Sequence, residues 1–343
     1  MIHSYSKLFF LLLCLIPSAF ADEIRGAGAT FPAPVYHKWA DHYQINKKGN
    51  VDYLAVGSGE GMKMIDSRQV DFAGSDMPLA PEELRKKNLV QFPMLMGAIT
   101  PVVNVPGVLQ AELRLDGATL ADIFMGKITK WDAPQIRSLN PSLQLPATPI
   151  TVVYREDASG TTFNFTNYLS KRSPEWKSRI GEGLRISWAA GQAAKGNAGV
   201  AAKVLTTPGA IGYVEYAFAM EHQLNYVQLK NHDGFFVKPN AVSTQAAAAG
   251  AQWDAASGFY QILTDAPGQG SWPIVASTFI LIPQDMSDAG HIKEVLRFFD
   301  GAYRTGELSA VSLDYVMLPK TVMTQVRSSW GALKSKDGKP VWF

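Results

Sequence analysis

The sequence predicts an α/β protein in which short strands alternate with helices. Two observations carry this. Short β-type runs recur along the chain, most followed by glycine, serine or proline and then by a segment with helical spacing, the alternation expected of parallel sheets covered by helices. Apolar residues make up 47% of the 343, too many for a disordered chain and enough for a sizeable core. The length sets a prior of about two domains. No Gly/Ser-rich linker separates two halves, so two domains would have to be joined by crossing strands.

In chain order, the first feature is an export signal. Lys7 supplies a charged start, Leu8 to Ile16 form an unbroken apolar run, Pro17 breaks it, and Ala19-Phe20-Ala21 is a small-x-small cleavage site. Cleavage is expected after Ala21, leaving residues 1–21 as a signal peptide. The run is too short to span a membrane as a helix, which needs about 20 residues. Leu13 is too large for the residue before a lipidated cysteine at Cys14. The chain's one cysteine, Cys14, leaves with the signal. A mature chain without cysteine suits an oxidising compartment and excludes disulfides, cysteine zinc sites and thiol catalysis.

Val51 to Val56 reads as a strand, followed by Gly57-Ser-Gly-Glu-Gly61 and a helix over Met62 to Arg68. Val70 to Ala73 is a second short strand, ending in Gly74-Ser-Asp-Met-Pro78. Pro81-Glu-Glu-Leu84 carries the proline and acids of a helix's first turn. Ile150 to Tyr154 is a strand, ending in Arg155-Glu-Asp-Ala-Ser-Gly-Thr161, and helical spacing resumes through Phe163, Phe165 and Tyr168-Leu169. Further β-type runs are Ile99 to Val105, Ala210 to Val214 and Val275 to Ile282. Ala246 to Ala249 reads as helix rather than low-complexity linker.

The chemistry gathers where strands give way to helices. In α/β sheets ligands collect beyond the carboxyl ends of strands, where helix-start N–H groups are free. Four junctions here carry small hydroxyl or glycine residues: Thr30-Phe31, Gly57-Ser58, Ser75-Asp76 and Ser159-Gly160-Thr161. Pro32 and Pro34 suit a helix's opening turn. Arg155 sits just upstream of the last junction. Exposed amides, hydroxyls and one guanidinium suit a small oxyanion. Taken singly, each feature has an ordinary structural reading: a helix cap contributing about 1 kcal/mol, a surface Arg155–Asp157 pair contributing ~0–1 kcal/mol, or a turn aspartate at Asp76. Their coincidence favours the anion site.

Other chemistries find less support. Lys and Arg total 32 against 30 acids, net +2 at pH 7, which argues against a nucleic-acid partner. Gly26-Ala-Gly-Ala-Thr-Phe31 starts like a dinucleotide fingerprint, but Phe31 stands at the third glycine and no adequate strand precedes it. Gly126-Lys127 lacks the rest of a P-loop. Gly57-Ser58-Gly59 does not centre its serine as a nucleophile elbow does. His37, His42, His222, His232 and His291 form no His-Glu-x-x-His helix, so no metal site is expected.

Several of these segments resemble the phosphate-binding proteins of bacterial phosphate-specific ABC importers. They are Gly26-Ala-Gly-Ala-Thr-Phe-Pro-Ala-Pro-Val-Tyr36, Val70-Asp-Phe-Ala-Gly-Ser-Asp76, Gly126-Lys-Ile-Thr-Lys-Trp-Asp132, Ser159-Gly-Thr161, Pro208-Gly-Ala-Ile-Gly-Tyr-Val-Glu-Tyr216 and Ser277-Thr-Phe-Ile-Leu-Ile282. The resemblance runs in order over essentially the whole mature chain. It implies a two-lobed periplasmic-binding-protein fold, type II-like, closing on one phosphate in the cleft. Lobe 1 would comprise residues 22–103 and 277–343, lobe 2 residues 104–276, with crossings near Val102–Asn104 and Ala276–Thr278. The implied ligand set is Ala29, Thr30, Phe31, Ser58 and Asp76 from lobe 1 with Arg155, Ser159, Gly160 and Thr161 from lobe 2, Asp157 orienting Arg155. The implied partners are inorganic phosphate and the importer's membrane permease subunits with their ATPase subunit; no cofactor and no catalytic residue are implied, and a periplasmic monomer is expected. The alternative class, a secreted hydrolase of phosphate esters, would need a nucleophile or metal ligands. The chain reads Gly57-Ser-Gly-Glu-Gly61 where the family commonly has Gly-Ser-Ser-Gly-Gly, and Asp157-Ala-Ser-Gly-Thr161 where it often has Asp-Gly-Ser-Gly-Thr.

Overall fold

The computed structural model describes residues 23–46, 48–284, 289–335 and 338–342, so the expected signal peptide lies outside the described residues. The first strand, Ile24–Gly28, runs through the glycines of the fingerprint-like segment. The sequence reading finds no adequate strand ahead of that segment; the structure forms one from the glycines themselves. The reason is close packing: a Cβ on Gly26 would stand 2.1 Å from the Phe72 ring, and one on Gly28 2.1 Å from the Gly74 carbonyl oxygen.

The largest sheet runs in the order Val51–Ala55, Ile24–Gly28, Phe72–Ser75, Val275–Pro283, Leu89–Val103, Ala210–Glu215, Thr151–Arg155, Gln192–Ala194. The three strands at each end are mutually parallel, as the alternation predicts. The centre is not. Val275–Pro283 runs antiparallel to both of its neighbours, and Leu89–Val103 runs antiparallel to Ala210–Glu215. The chain leaves the first half along Leu89–Val103 and returns along Val275–Pro283, so these two must oppose each other.

Leu89–Val103 serves both halves of the sheet. Its residues 89–98 pair with Val275–Pro283, and its residues 99–103 pair with Ala210–Glu215. At the changeover the Ile99 N–H donates to the Ile274 carbonyl (2.8 Å) and the Trp272 indole donates to the Ile99 carbonyl (2.9 Å). Sequence reading finds only the second part of this strand. The first part is buried on both faces, so it shows no alternation, and Pro93 interrupts it where the register with Val275–Pro283 shifts between Thr278 and Phe279.

Helices cover each half. Ala33–Ile45 starts after Pro32 and carries Pro34 in its first turn. It packs on Ala289–Thr305 through Tyr43 against Phe298 (ring centroids 5.5 Å apart). Ser58–Asp66 begins directly after Gly57, earlier than the Met62 start read from the sequence. Its first turn is polar and glycine-rich, which hides it from apolar periodicity, yet Gly61 is what lets it approach the first strand: a Cβ there would stand 2.4 Å from the Gly28 Cα. In the second half, Gly160–Arg172 packs Phe165 flat on Tyr213 at 4.2 Å, with Phe124 and Trp188 alongside. Ala241–Ala248 is a helix, as expected of the alanine run, with Ala247 and Ala248 buried. No helix among the described residues is long and apolar enough to cross a membrane.

Candidate functional site

Three helix N-termini meet between the two halves of the sheet: those of Ala33–Ile45, Ser58–Asp66 and Gly160–Arg172. Each follows the carboxyl end of a strand, so first-turn N–H groups and the positive ends of the helix dipoles face one region. Ala29, Phe31, Ser58, Asp76, Arg155, Ser159, Gly160 and Thr161 are all buried there, and Thr30 is partly so. Of the nine sequence-predicted residues, direct hydrogen bonds link Ser58 with Asp76 and Gly160, and Arg155 with Thr161. Ser58 Oγ joins the halves, accepting from the Gly160 N–H (3.1 Å) and the Asp76 N–H (3.3 Å).

Arg155 ends the strand Thr151–Arg155 with its side chain 1% exposed. Its Nε donates to Asp157 Oδ1 at 2.8 Å, its Nη2 donates to Asp157 Oδ2, and its Nη1 donates to Thr161 Oγ1 at 3.3 Å. A guanidinium has five N–H donors; these bonds leave one on each terminal nitrogen. Asp157 is itself held by the Gly196 N–H at 3.0 Å. Burial opposes its ionisation, but the Arg155 and Gly196 bonds prevail and hold its carboxyl below the usual carboxylate range. The pair is therefore an ionised clamp with a buried guanidinium and a partly buried carboxylate, not the surface ion pair of the alternative reading. Ser159 caps the helix that follows, its Oγ accepting from the Thr162 N–H at 3.1 Å.

Asp76 is the opposite case. Burial pushes its carboxyl up to about 7, although the Thr278 hydroxyl and the Arg155 charge pull it down. Its Oδ1, the Thr278 Oγ1 and the Tyr36 hydroxyl are all buried without a hydrogen-bond partner. The Thr278 hydroxyl stands close enough to both Asp76 and Tyr36 to favour their ionised forms. Thr278 stands at the register shift between Thr278 and Phe279 in the strand Val275–Pro283.

Sequence reasoning missed the residues that hold the junctions in place. Tyr53 donates to the Ala29 carbonyl (2.9 Å), Tyr315 to the Phe31 carbonyl (2.6 Å) and the Asn197 side-chain amide to Thr30 Oγ1 (2.8 Å). Asn164 donates to the Asp76 carbonyl at 2.7 Å and to the Gly160 carbonyl at 3.0 Å. Thr278 alone had a local signal, in the Ser277-Thr-Phe segment. The others are set by tertiary packing. The departures from the family pattern also find places. Glu60 faces solvent and pairs with Lys63 at 3.0 Å, away from the buried groups. Gly59 and Ala158 touch each other, the Gly59 N–H donating to the Ala158 carbonyl at 2.9 Å. Among the described residues no group of three or more His, Cys, Asp or Glu could hold a metal.

A family model described as a PBP superfamily domain matches residues 17–300. The chain is 46% identical to the phosphate-binding protein PstS of Pasteurella multocida over 338 residues, covering 97% of this chain and 98% of the relative. It is 46% identical to the protein of the same name from Haemophilus influenzae, covering 94% and 96%. Among solved structures it resembles the phosphate binding protein from Stenotrophomonas maltophilia at 22% identity and a TM-score of 0.69, over 93% of this chain and 96% of that one. That likeness is one of fold, the two-lobed α/β architecture of periplasmic binding proteins. The polar groups assembled between the lobes and near-full-length identity to these relatives lead to one conclusion: the chain belongs to the PstS phosphate-binding protein family of the PBP superfamily.

Proposed function

We propose that this protein binds inorganic phosphate in the cleft between its lobes and delivers it to a membrane ABC importer. Ala29, Thr30, Phe31, Ser58, Asp76, Arg155, Ser159, Gly160 and Thr161 form the site. Arg155 offers its two remaining N–H groups and the helix Gly160–Arg172 the positive end of its dipole; Asp76 faces the phosphate's protonated oxygen. The reading rests above all on one observation: Asp76 Oδ1 is buried with no partner, beside a buried guanidinium and a helix N-terminus. A buried acceptor left unpaired costs about 1–3 kcal/mol, and an anion that carries a proton satisfies it while meeting the surrounding donors. The family's members are binding proteins, so the chain acts as a carrier and not as an ester hydrolase.

The lobes are residues 22–103 with 277–343, and 104–276. The changeover of partners along Leu89–Val103 supports a hinge near that crossing. The working location is the periplasm, reached through a signal peptide cleaved after Ala21, and the partners are the importer's permease subunits with their ATPase subunit. Titration calorimetry with phosphate, arsenate and sulfate near pH 8 tests the site. Phosphate and arsenate should bind with one-to-one stoichiometry and sulfate far more weakly. Absence of phosphate uptake, or equal sulfate binding, contradicts the reading.

A further inference from the structure

Some contacts across the cleft involve no group of the proposed ligand set. Gly59, on the first turn of Ser58–Asp66, is buried against Ala158 of the opposite lobe. A Cβ built on Gly59 would stand 2.4 Å from the Ala158 methyl carbon, a separation real side chains do not adopt. Beside it, a Cβ on Gly57 would stand 2.5 Å from Asp157 Oδ2. The Ala158 methyl thus sits in a hollow that exists because Gly59 has no side chain, and the 2.9 Å bond from Gly59 N–H to the Ala158 carbonyl closes over it. Gly59 is not among the glycines with positive φ. Its own backbone and helix would accept alanine; the opposite lobe is what excludes it.

We propose that Gly59 and Ala158 form a knob-and-socket latch that stabilises the closed form and so sets how fast phosphate leaves. The proposal rests on the reading that the chain closes on phosphate. A ligand held only by the closed form binds with an apparent affinity proportional to the closed population. A contact between lobes that never touches the ligand therefore tunes affinity and release while leaving the ligand's own contacts unchanged.

The test is Gly59→Ala, compared with wild type for phosphate affinity, phosphate dissociation rate and ligand-free thermal stability. Overpacking the socket should weaken affinity and speed release by about ten- to a hundredfold. The ligand-free melting temperature should hold or rise, since alanine replaces glycine in a helix. Adding Ala158→Gly to that variant empties the space again and should restore most of the affinity. Wild type that binds phosphate alongside a Gly59→Ala variant with unchanged affinity and release overturns the latch alone. Failure of Ala158→Gly to rescue, or a fall in ligand-free stability matching the lost affinity, also overturns it. Wild type that takes up no phosphate removes the functional reading and the latch together.

Discussion

Asp76 is a carboxylate placed where an anion is proposed to bind, and its environment decides how it behaves. Burial raises it to about 7, so both of its protonation states are populated near neutral pH. Hydrogen phosphate and dihydrogen phosphate, the forms present near neutral pH, carry a donor for the ionised state. Sulfate carries none, so it must wait for Asp76 to hold the proton and donate it. The sign follows: sulfate affinity should be highest below pH 7 and fall about tenfold per pH unit above it, while phosphate retains a usable proton across the same range. Asp76→Asn donates at every pH, so its sulfate affinity should become flat and its preference for phosphate should shrink. Competition binding of both anions between pH 6 and 9 checks this; a flat sulfate profile in wild type contradicts it. Ser58, Asp76, Arg155, Ser159, Gly160 and Thr161 were legible because each lies within a few positions of a strand end read from the sequence, where local turn chemistry marks it. No adequate strand reads ahead of Thr30 and Phe31, and Ala29 enters only through the family resemblance. Tyr53, Tyr315, Asn164 and Asn197 were not legible, since nothing near them in sequence distinguishes a group aimed at a distant carbonyl from an ordinary polar residue.

The helix Ser58–Asp66 shows how one element divides its loyalties. Gly59 faces the other lobe, whereas Gly61 faces the strand Ile24–Gly28 within its own, with a hypothetical Cβ 2.4 Å from the Gly28 Cα and 2.8 Å from the Ala27 carbonyl oxygen. Backbone cannot yield as a flexible side chain can. Gly61→Ala should therefore destabilise the ligand-free protein by about 1–3 kcal/mol, the usual range for overpacking. Denaturant unfolding without phosphate measures it; unchanged stability would mean that the strand and helix move apart freely. The same packing explains why the helix start escaped sequence reading. Glycines that permit close approach remove the apolar periodicity that announces a helix. The front of Leu89–Val103 escaped for a different reason, because burial on both faces erases alternation and Pro93 reads as a strand breaker.

At the scale of the molecule, bonds that join the lobes surround the proposed ligand: Gly160 N–H to Ser58, Asn164 to Asp76 and Asn197 to Thr30. They are the bonds that the proposed opening would break. Small-angle scattering should accordingly give a smaller radius of gyration with saturating phosphate than in protein stripped of it; identical profiles would contradict hinge closure. Strand alternation made the two parallel ends of the sheet readable, but not its antiparallel centre, because that depends on pairing residues 72–75 and 89–98 with residues 275–283, far apart in sequence. This arrangement also imposes an order of assembly. A chain emerging N-terminus first presents Phe72–Ser75 and Leu89–Val103 long before the strand that lies between them exists. The stretch 104–276 has all its sequence available earlier, so it can collapse while the enclosing lobe still waits with two open strand edges. The interval between synthesis of residue 103 and of residue 283 is thus the period of greatest exposure to aggregation, and it is where an escorting chaperone would matter most.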